Sequence, residues 1–156
     1  MLNHLEKVFS SFDSHDVRYV VIGGVAAVLH GVPRATFDLD ILIDPTAVNA
    51  RRLLDALADA GLGTAELTTP EDVLANAITV FQDVVRIDVQ TRTPGVTFSD
   101  AWDRRETMDY RGRKFQVLSR DDVIATKLAA GRDVDLDDVR QLRREDGDEG
   151  GRADGA

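Results

Sequence analysis

The sequence predicts an α/β (α+β) domain in which a short mixed β-sheet is flanked by helices. Two observations indicate this class. Runs of β-branched and apolar residues at Arg18–Ile22 and Leu39–Ile43 have the composition of buried strands. They alternate with segments whose apolar residues recur at helical spacing, as over residues 2–14. This order of elements is typical of a small domain with helices packed on a mixed sheet.

The first half of the chain predicts three helices around the first two strands. Residues 2–14 form an amphipathic pattern with helical period. Gly23-Gly24 ends the first strand, and Val25–His30 predicts a short helix before a Gly-Val-Pro turn. After the second strand we interpret Asp44 and Pro45 as the N-cap and first residue of a helix through Ala60.

The second half predicts a hairpin, an edge strand and three further helices. The hairpin pairs Ala77–Phe81 with Val84–Gln90, and Gln82-Asp83 lies at its turn. The remaining predicted elements are a helix starting at Thr69-Pro70, an edge strand at Phe115–Leu118, a helix capped by Ser119 from Arg120 to about Ala130, and a last helix at Asp135–Arg143.

Length and composition limit the classes of protein. The 156 residues suit one domain, which we assign to residues 1–143, and the Gly- and acid-rich residues 144–156 predict a disordered tail. The absence of cysteine excludes disulfides and thiolate zinc sites. No apolar stretch is long enough to cross a membrane and no secretory signal is evident, so we expect a cytoplasmic protein. The net charge of −9 argues against a broad grip on nucleic acid but leaves a local basic cleft open.

Asp38 and Asp40 form the first candidate site. Residues two apart on a strand point to the same face, about 7 Å apart at their Cα atoms. The pair leads directly into the apolar run Ile41–Ile43. Adjacent carboxylates repel unless a proton or cation lies between them, so the pair predicts a Mg²⁺ site. The alternative is a solvated strand end without a ligand.

Asp88 is the candidate third carboxylate. It shares one face of its predicted strand with Arg86 and Gln90, and joins Asp38 and Asp40 if the two strands are neighbours. Three carboxylates can hold two Mg²⁺ ions on a nucleoside triphosphate. The alternative for Asp88 is a salt bridge to Arg86.

Three further features have both a structural and a functional interpretation. Gly23-Gly24, after a strand and before a helix, suits the close approach of a phosphate, although such a pair is also an ordinary turn. We interpret His30 as closing a helix rather than as a base. Trp102 is interpreted as packing over the sheet edge, with base stacking as the alternative.

Two motifs together resemble a known superfamily. Gly23-Gly24-x-Ala26, followed by His30-Gly31-x-Pro33-Arg34-x-Thr36-x-Asp38-x-Asp40, resembles the nucleotidyltransferase (polymerase β-like) superfamily, nearest to its AbiEii-type toxin branch. The later segment Lys127-Leu128-x-x-Gly131-Arg132-x-x-Asp135-x-x-Asp138-Val139 resembles the same branch. Relatives often have Gly-Ser in place of Gly23-Gly24, so one hydroxyl contact to phosphate is missing here.

The resemblance implies a nucleotidyltransferase fold and assigns the site residues. Asp38 and Asp40 would be metal ligands, and Asp88 a third ligand that helps to deprotonate the attacking hydroxyl. The residues implied to bind the nucleotide are Gly23, Gly24, Arg34, Thr36 and Lys127. For Arg132 two roles are left open: contact with the nucleotide, or an ion pair with Asp135 or Asp138.

The function that the resemblance implies is transfer of a nucleoside monophosphate from an NTP to an acceptor, with Mg²⁺ or Mn²⁺. The acceptor is left open between tRNA, a protein and a small molecule, and a toxin role with an antitoxin protein as partner is implied. We predict that Arg111 and Arg113, in the most basic stretch, bind the acceptor. The alternatives are a non-catalytic binding or regulatory module and an enzyme that modifies antibiotic-like small molecules.

Overall fold

A computed structural model describes residues 2–35, 38–110 and 112–154, and it has a six-stranded mixed sheet flanked by helices. Thr36 and Arg111, predicted to bind nucleotide and acceptor, lie outside the described residues. The elements in chain order are α1 (Leu2–Ser14), β1 (Tyr19–Ile22), α2 (Gly23–Leu29), β2 (Leu39–Ile43), α3 (Ala47–Asp59), a 3-10 helix (Gly63–Leu67), α4 (Pro70–Ala75), β3 (Ile78–Gln82), β4 (Arg86–Gln90), α5 (Phe98–Asp103), β5 (Glu106–Tyr110), β6 (Arg113–Val117), α6 (Arg120–Ala130) and α7 (Asp133–Asp154).

The strand order, β3-β4-β2-β1-β6-β5, places the two predicted acidic strands side by side. β2 is antiparallel to β1 and parallel to β4, and the hairpin of β3 and β4 forms one end of the sheet. The registers align Ile22 with Asp40, Asp40 with Asp88, and Asp88 with Val80. One row of side chains therefore crosses four strands on a single face and contains both carboxylates.

One layer of the core lies between the other face of the sheet and the helices packed on it, and a second lies under α2, where Val20 and Leu42 are buried. Ile41, Ile43, Ile87 and Val89 are fully buried in the first layer, as the alternation of the strands predicts. α1 packs against α3 and β6, and the ring of Phe9 stacks on Phe115 with centroids 4.8 Å apart. Because Asp40 and Asp88 alternate with these apolar residues, packing of the first layer directs both carboxylates away from it.

Several predicted elements differ from the structure, beginning with α2, which starts at Gly23 and not at Val25. α3 begins at Ala47, and its N-cap is Thr46, whose Oγ1 accepts a hydrogen bond from Asn49 N at 3.2 Å. Asp44 and Pro45 therefore precede the helix, and their interpretation as N-cap and first residue was wrong. The predicted edge strand is β6, which lies inside the sheet between β1 and the unpredicted strand β5. α7 continues to Asp154, beyond the predicted end at Arg143.

Trp102 lies near the start of β1, at the end of that strand away from Gly23. The guanidinium groups of Arg105 and Arg18 lie over its ring, 3.7 Å and 4.8 Å from the ring centroid. Phe98 stacks on it at 5.7 Å, and the indole packs against the core. The ring contacts of Trp102 are thus made within the domain.

Among the described helices, none is both long enough and apolar enough to span a lipid bilayer.

Candidate active site

Asp40 and Asp88 are direct neighbours on the parallel strands β2 and β4. Partial burial, the negative charge of Asp88 and a hydrogen bond between the two carboxyl groups raise the pKa of Asp40 from 3.8 to about 6. The charge of Asp38 raises the pKa further, and that of Lys127 opposes the rise. The two carboxyl groups are therefore close enough to share a proton, and the negative charge of Asp40 is poorly compensated.

Gly23 makes room for the carboxyl group of Asp40. Its φ is +69°, a left-handed conformation that glycine adopts without strain. A Cβ at this position would collide with Oδ2 of Asp40 and would lie 3.0 Å from its Cγ. The glycine is thus required by the backbone and by the carboxylate together. Its role as a phosphate cradle remains a prediction.

A cavity of about 380 Å³ opens over this face of the sheet, between β4, α6 and the start of α7. Its lining includes Gly23, Asp40 and Asp88 from the sheet side, Lys127 from α6, Arg132 from the turn after α6, and Asp135 from α7. All six residues are predicted site residues or positions of the two motifs in the sequence. The lining does not include Gly24, Asp38 or Arg113.

Lys127 lies at the base of this cavity within a buried network of charges. It is 5% exposed, and its Nζ lies 3.3 Å from Asp135 Oδ1 and 3.2 Å from Asp138 Oδ2. Arg132 Nε contacts Asp135 at 2.7 Å, and Arg34 Nη2 contacts Asp138 at 3.0 Å. The two aspartates, both 1% exposed, are thereby neutralised by three cations.

This network answers one open question and qualifies two assignments. Arg132 pairs with Asp135, the alternative that the sequence left open. Burial alone would raise the pKa of Asp135, but the hydrogen bond from Arg132 and the charge of Lys127 lower it overall. Lys127 and Arg34, predicted to bind nucleotide, already have carboxylate partners. Lys127 still lines the cavity, whereas Arg34 does not.

Asp88 also makes the salt bridge that was the alternative to a metal role. Arg86 Nε donates to Asp88 Oδ1 at 3.0 Å, and Nη2 lies 3.4 Å from Oδ2. The Arg86 side chain is 41% exposed, so the ion pair is open to solvent and of small energetic weight. The pair therefore leaves Asp88 able to exchange its partner for a ligand in the cavity.

The predicted triad of carboxylates is partly assembled. Asp40 and Asp88 meet, whereas Asp38 is exposed and acts on them through its charge. Within the described residues, no three acidic or histidine side chains are close enough to hold one metal ion. Two adjacent carboxylates nevertheless match the oxygen ligands and charge that Mg²⁺ prefers.

Other residues that line the cavity belong to neither of the two motifs. Ile78, Thr93 and Thr126 line the cavity. The predicted hairpin would have paired Ile78 with Ile87, whereas the structure pairs it with Gln90, on the face of Asp88. His30 is buried and its Nε2 bonds the carbonyl of Leu118 at 2.7 Å, which agrees with its structural interpretation.

Comparisons with known proteins agree with the fold. The structure described as a "putative nucleotidyltransferase" from Thermotoga maritima is 17% identical with a TM-score of 0.59, covering 92% of each chain. An antigenic nucleotidyltransferase-like protein from Paracoccidioides brasiliensis is also 17% identical, with a TM-score of 0.54, over 88% of this chain and 72% of that one. No curated protein matches the chain.

At such identities the neighbours show the fold, which is that of nucleotidyltransferases. The family described as "Nucleotidyltransferase of unknown function (DUF6036)" matches residues 2–143, nearly the whole chain, and this protein belongs to that family.

Proposed function

We propose that the protein is a metal-dependent nucleotidyltransferase, which transfers a nucleoside monophosphate from an NTP to an acceptor. One observation carries the proposal: Asp40 and Asp88 lie side by side in a cavity that also contains Gly23 and Lys127. A pair of adjacent carboxylates beside a lysine suits a ligand with both a divalent cation and phosphate oxygens. Such a ligand is a nucleoside triphosphate with its metal ion.

Asp40 and Asp88 would hold Mg²⁺ or Mn²⁺, and the charge of Asp38 would add to the negative potential at Asp40. When bound, the ion supplies charge neutralisation at the phosphate where substitution occurs. Gly23 keeps the carboxyl group of Asp40 free of steric contact, and Lys127 contributes a positive charge to the wall of the cavity. Asp88, which already forms a hydrogen bond with Asp40, would accept the proton of an attacking hydroxyl.

The proposal is tested by incubating the protein with α-labelled NTPs, Mg²⁺ or Mn²⁺, and separate acceptor pools of tRNA, protein and aminoglycoside. Label transfer with stoichiometric pyrophosphate release is expected in one pool. Asp40→Asn and Asp88→Asn should each reduce transfer at least about 10³-fold, because each removes a ligand charge. Asp55→Asn is the matched control, since Asp55 is an exposed aspartate in a surface ion pair. Normal transfer by either cavity variant would refute the assignment.

The narrower proposal is that this activity makes the protein the toxin of a toxin–antitoxin pair, as in the AbiEii-type branch. It rests on the motif resemblance alone. Induced expression should arrest growth, and Asp88→Asn should relieve the arrest at equal protein level. Arrest that persists in the variant would separate toxicity from nucleotidyl transfer.

A second candidate is a nucleotide-binding module without turnover. The Arg86–Asp88 salt bridge and the outlying position of Asp38 favour it. Calorimetric binding of an NTP together with no pyrophosphate release in any acceptor pool would select this candidate.

A further inference from the structure

The outer edge of β3 has unused backbone hydrogen-bonding groups. Thr91 N donates to Ala77 O, and Asp83 N donates to Val85 O, each at 3.0 Å. In an antiparallel pair, residues bonded to the partner strand alternate with residues whose N–H and C=O point away. The backbone groups of Thr79 and Phe81 therefore face β4, and those of Ile78, Val80 and Gln82 face the free edge.

The side chains of this edge strand include none of the charges or prolines that usually prevent strand addition. The sequence of β3, Ile-Thr-Val-Phe-Gln, contains no charge, proline or glycine. Ile78 is 51% exposed and Val80 is 47% exposed. The opposite edge of the sheet, β5, carries Glu106 and Asp109, which are charges of the kind that deter a further strand. Among the described residues, this edge is therefore the one with exposed apolar side chains and outward backbone groups, and such an edge can bind an extended segment.

The chain segments on either side of β3 are acidic, and the nearest described arginine, Arg86, lies opposite Gln82 on β4, where it pairs with Asp88. Residues 53–85 contain no lysine or arginine. Four exposed acidic residues flank β3: Glu66 in the 3-10 helix that contacts it, Glu71 and Asp72 in the preceding α4, and Asp83 in the following turn. The complementary occupant is a strand whose centre alternates apolar residues and whose ends are basic.

We propose that β3 binds an extended segment of a partner protein by strand addition, with lysine or arginine flanking an alternating apolar centre. The segment pairs with the outward amides of Ile78, Val80 and Gln82 and becomes a seventh strand of the sheet. A second copy of this chain is the less favoured occupant. Its own β3 would bring the same acidic flanks against these, and each copy has a net charge of −9.

The test uses a fluorescent probe peptide, Lys-Lys-Val-Thr-Val-Thr-Val-Lys-Lys, with two matched controls. One control replaces the four lysines by glutamates, and the other carries N-methyl groups on alternate residues of the centre. Anisotropy titrations should show saturable binding of the probe, about tenfold or more weaker binding of the acidic peptide, and no binding of the methylated one. Equal affinity of the probe and the methylated peptide would overturn the proposal, because backbone pairing would then be unnecessary.

Amide hydrogen exchange locates the contact without reference to nucleotide or activity. The amides of Val80 and Gln82 should exchange quickly in the free protein and at least about tenfold more slowly with saturating probe, whereas Thr79 and Phe81 should be slow in both. Binding of the probe without new protection at Val80 would contradict the proposal. Protection of Val80 in the free protein that rises with protein concentration would instead identify a second copy as the occupant.

Val80→Pro removes an outward amide while leaving the bonds between β3 and β4, and it should abolish probe binding. Val80→Thr keeps the amide and the β-branch, and it should bind the probe normally. If the proline variant does not fold, as judged by circular dichroism, the methylated peptide and the exchange pattern still decide the outcome. Undiminished binding by a folded Val80→Pro protein would refute strand addition.

Discussion

Replacing Asp40 by asparagine should stabilise the protein at neutral pH while removing its proposed activity. Asp40 is partly buried beside Asp88, and its pKa is raised from 3.8 to about 6. At pH 7 the folded state must therefore hold two ionised carboxylates in contact. Asparagine has no charge, and its amide group can donate a hydrogen bond to Asp88 in place of the carboxyl proton.

The size of the effect follows from the raised pKa. At 1.36 kcal/mol for each pH unit, a rise from 3.8 to about 6 corresponds to about 3 kcal/mol. Solvent screening at this partly exposed carboxyl lowers the expectation to about 2 kcal/mol. The sign is fixed by linkage: a carboxyl with a raised folded pKa favours the folded state below pH 3.8, and this contribution is lost as pH rises through about 6.

Urea denaturation in EDTA, at pH 3.5 and at pH 7.5, measures the prediction. Asp40→Asn should exceed the wild type in free energy of unfolding by about 2 kcal/mol at pH 7.5 and match it at pH 3.5. Asp55→Asn, an exposed control, should change stability by less than about 0.5 kcal/mol at both pH values. An Asp40→Asn protein no more stable than wild type at pH 7.5 would refute the idea that the two carboxylates repel each other.

Three further predictions concern the same cavity. In thermal unfolding, Mg²⁺ at 100 times its dissociation constant should stabilise the wild type by about 2.7 kcal/mol and the Asp40→Asn variant much less. Equal stabilisation of the two proteins would show that the ion binds elsewhere. Gly23→Ala should cost about 2–4 kcal/mol in urea denaturation and lose NTP binding, because the methyl group meets Asp40. Gly112→Ala is the control, because Gly112 has a φ of +79° with open space around it, and it should lose only the backbone strain of about 1–2 kcal/mol. Equal losses of stability in the Gly23 and Gly112 variants would exclude a collision with Asp40. Lys127→Met should lower the free energy of unfolding by about 3–5 kcal/mol, because Asp135 and Asp138 lose a buried cation. The exposed control Lys114→Met should lower it by less than about 0.5 kcal/mol. A small loss in Lys127→Met would show that Arg132 and Arg34 are enough to neutralise the two aspartates.

The part of the fold that carries the carboxylates could be predicted because its signals are local. β2 and β4 alternate apolar residues with Asp40 and Asp88, so burying one face presents both acids on the other. The pairing of these strands is a long-range feature that alternation alone does not determine. The motif from Gly23 to Asp40 supplied that information through the resemblance to nucleotidyltransferases.

The elements that were missed have polar sequences or non-local causes. β5 contains Glu106 and Asp109, and its composition does not predict that it pairs with β6 at the sheet edge. The network around Lys127 forms because α7 folds back after Gly131, whose φ of +68° ends α6. Only this turn brings Asp135 and Asp138 to the lysine. The alternation of side chains along a strand does not apply to Asp38, because β2 begins one residue after it.

Trp102 gives this protein a built-in optical probe of unfolding. It is the only tryptophan, and it contacts Arg18 at the start of β1, whereas Gly23 follows the last residue of that strand. The separation along the strand is about 16 Å at a rise of 3.3 Å per residue. Loss of the Arg18 and Arg105 contacts on denaturation should change the emission of the indole, and a ligand in the cavity touches neither. Stability and nucleotide binding can therefore be followed in the same cuvette as separate signals, from intrinsic emission and from a labelled nucleotide.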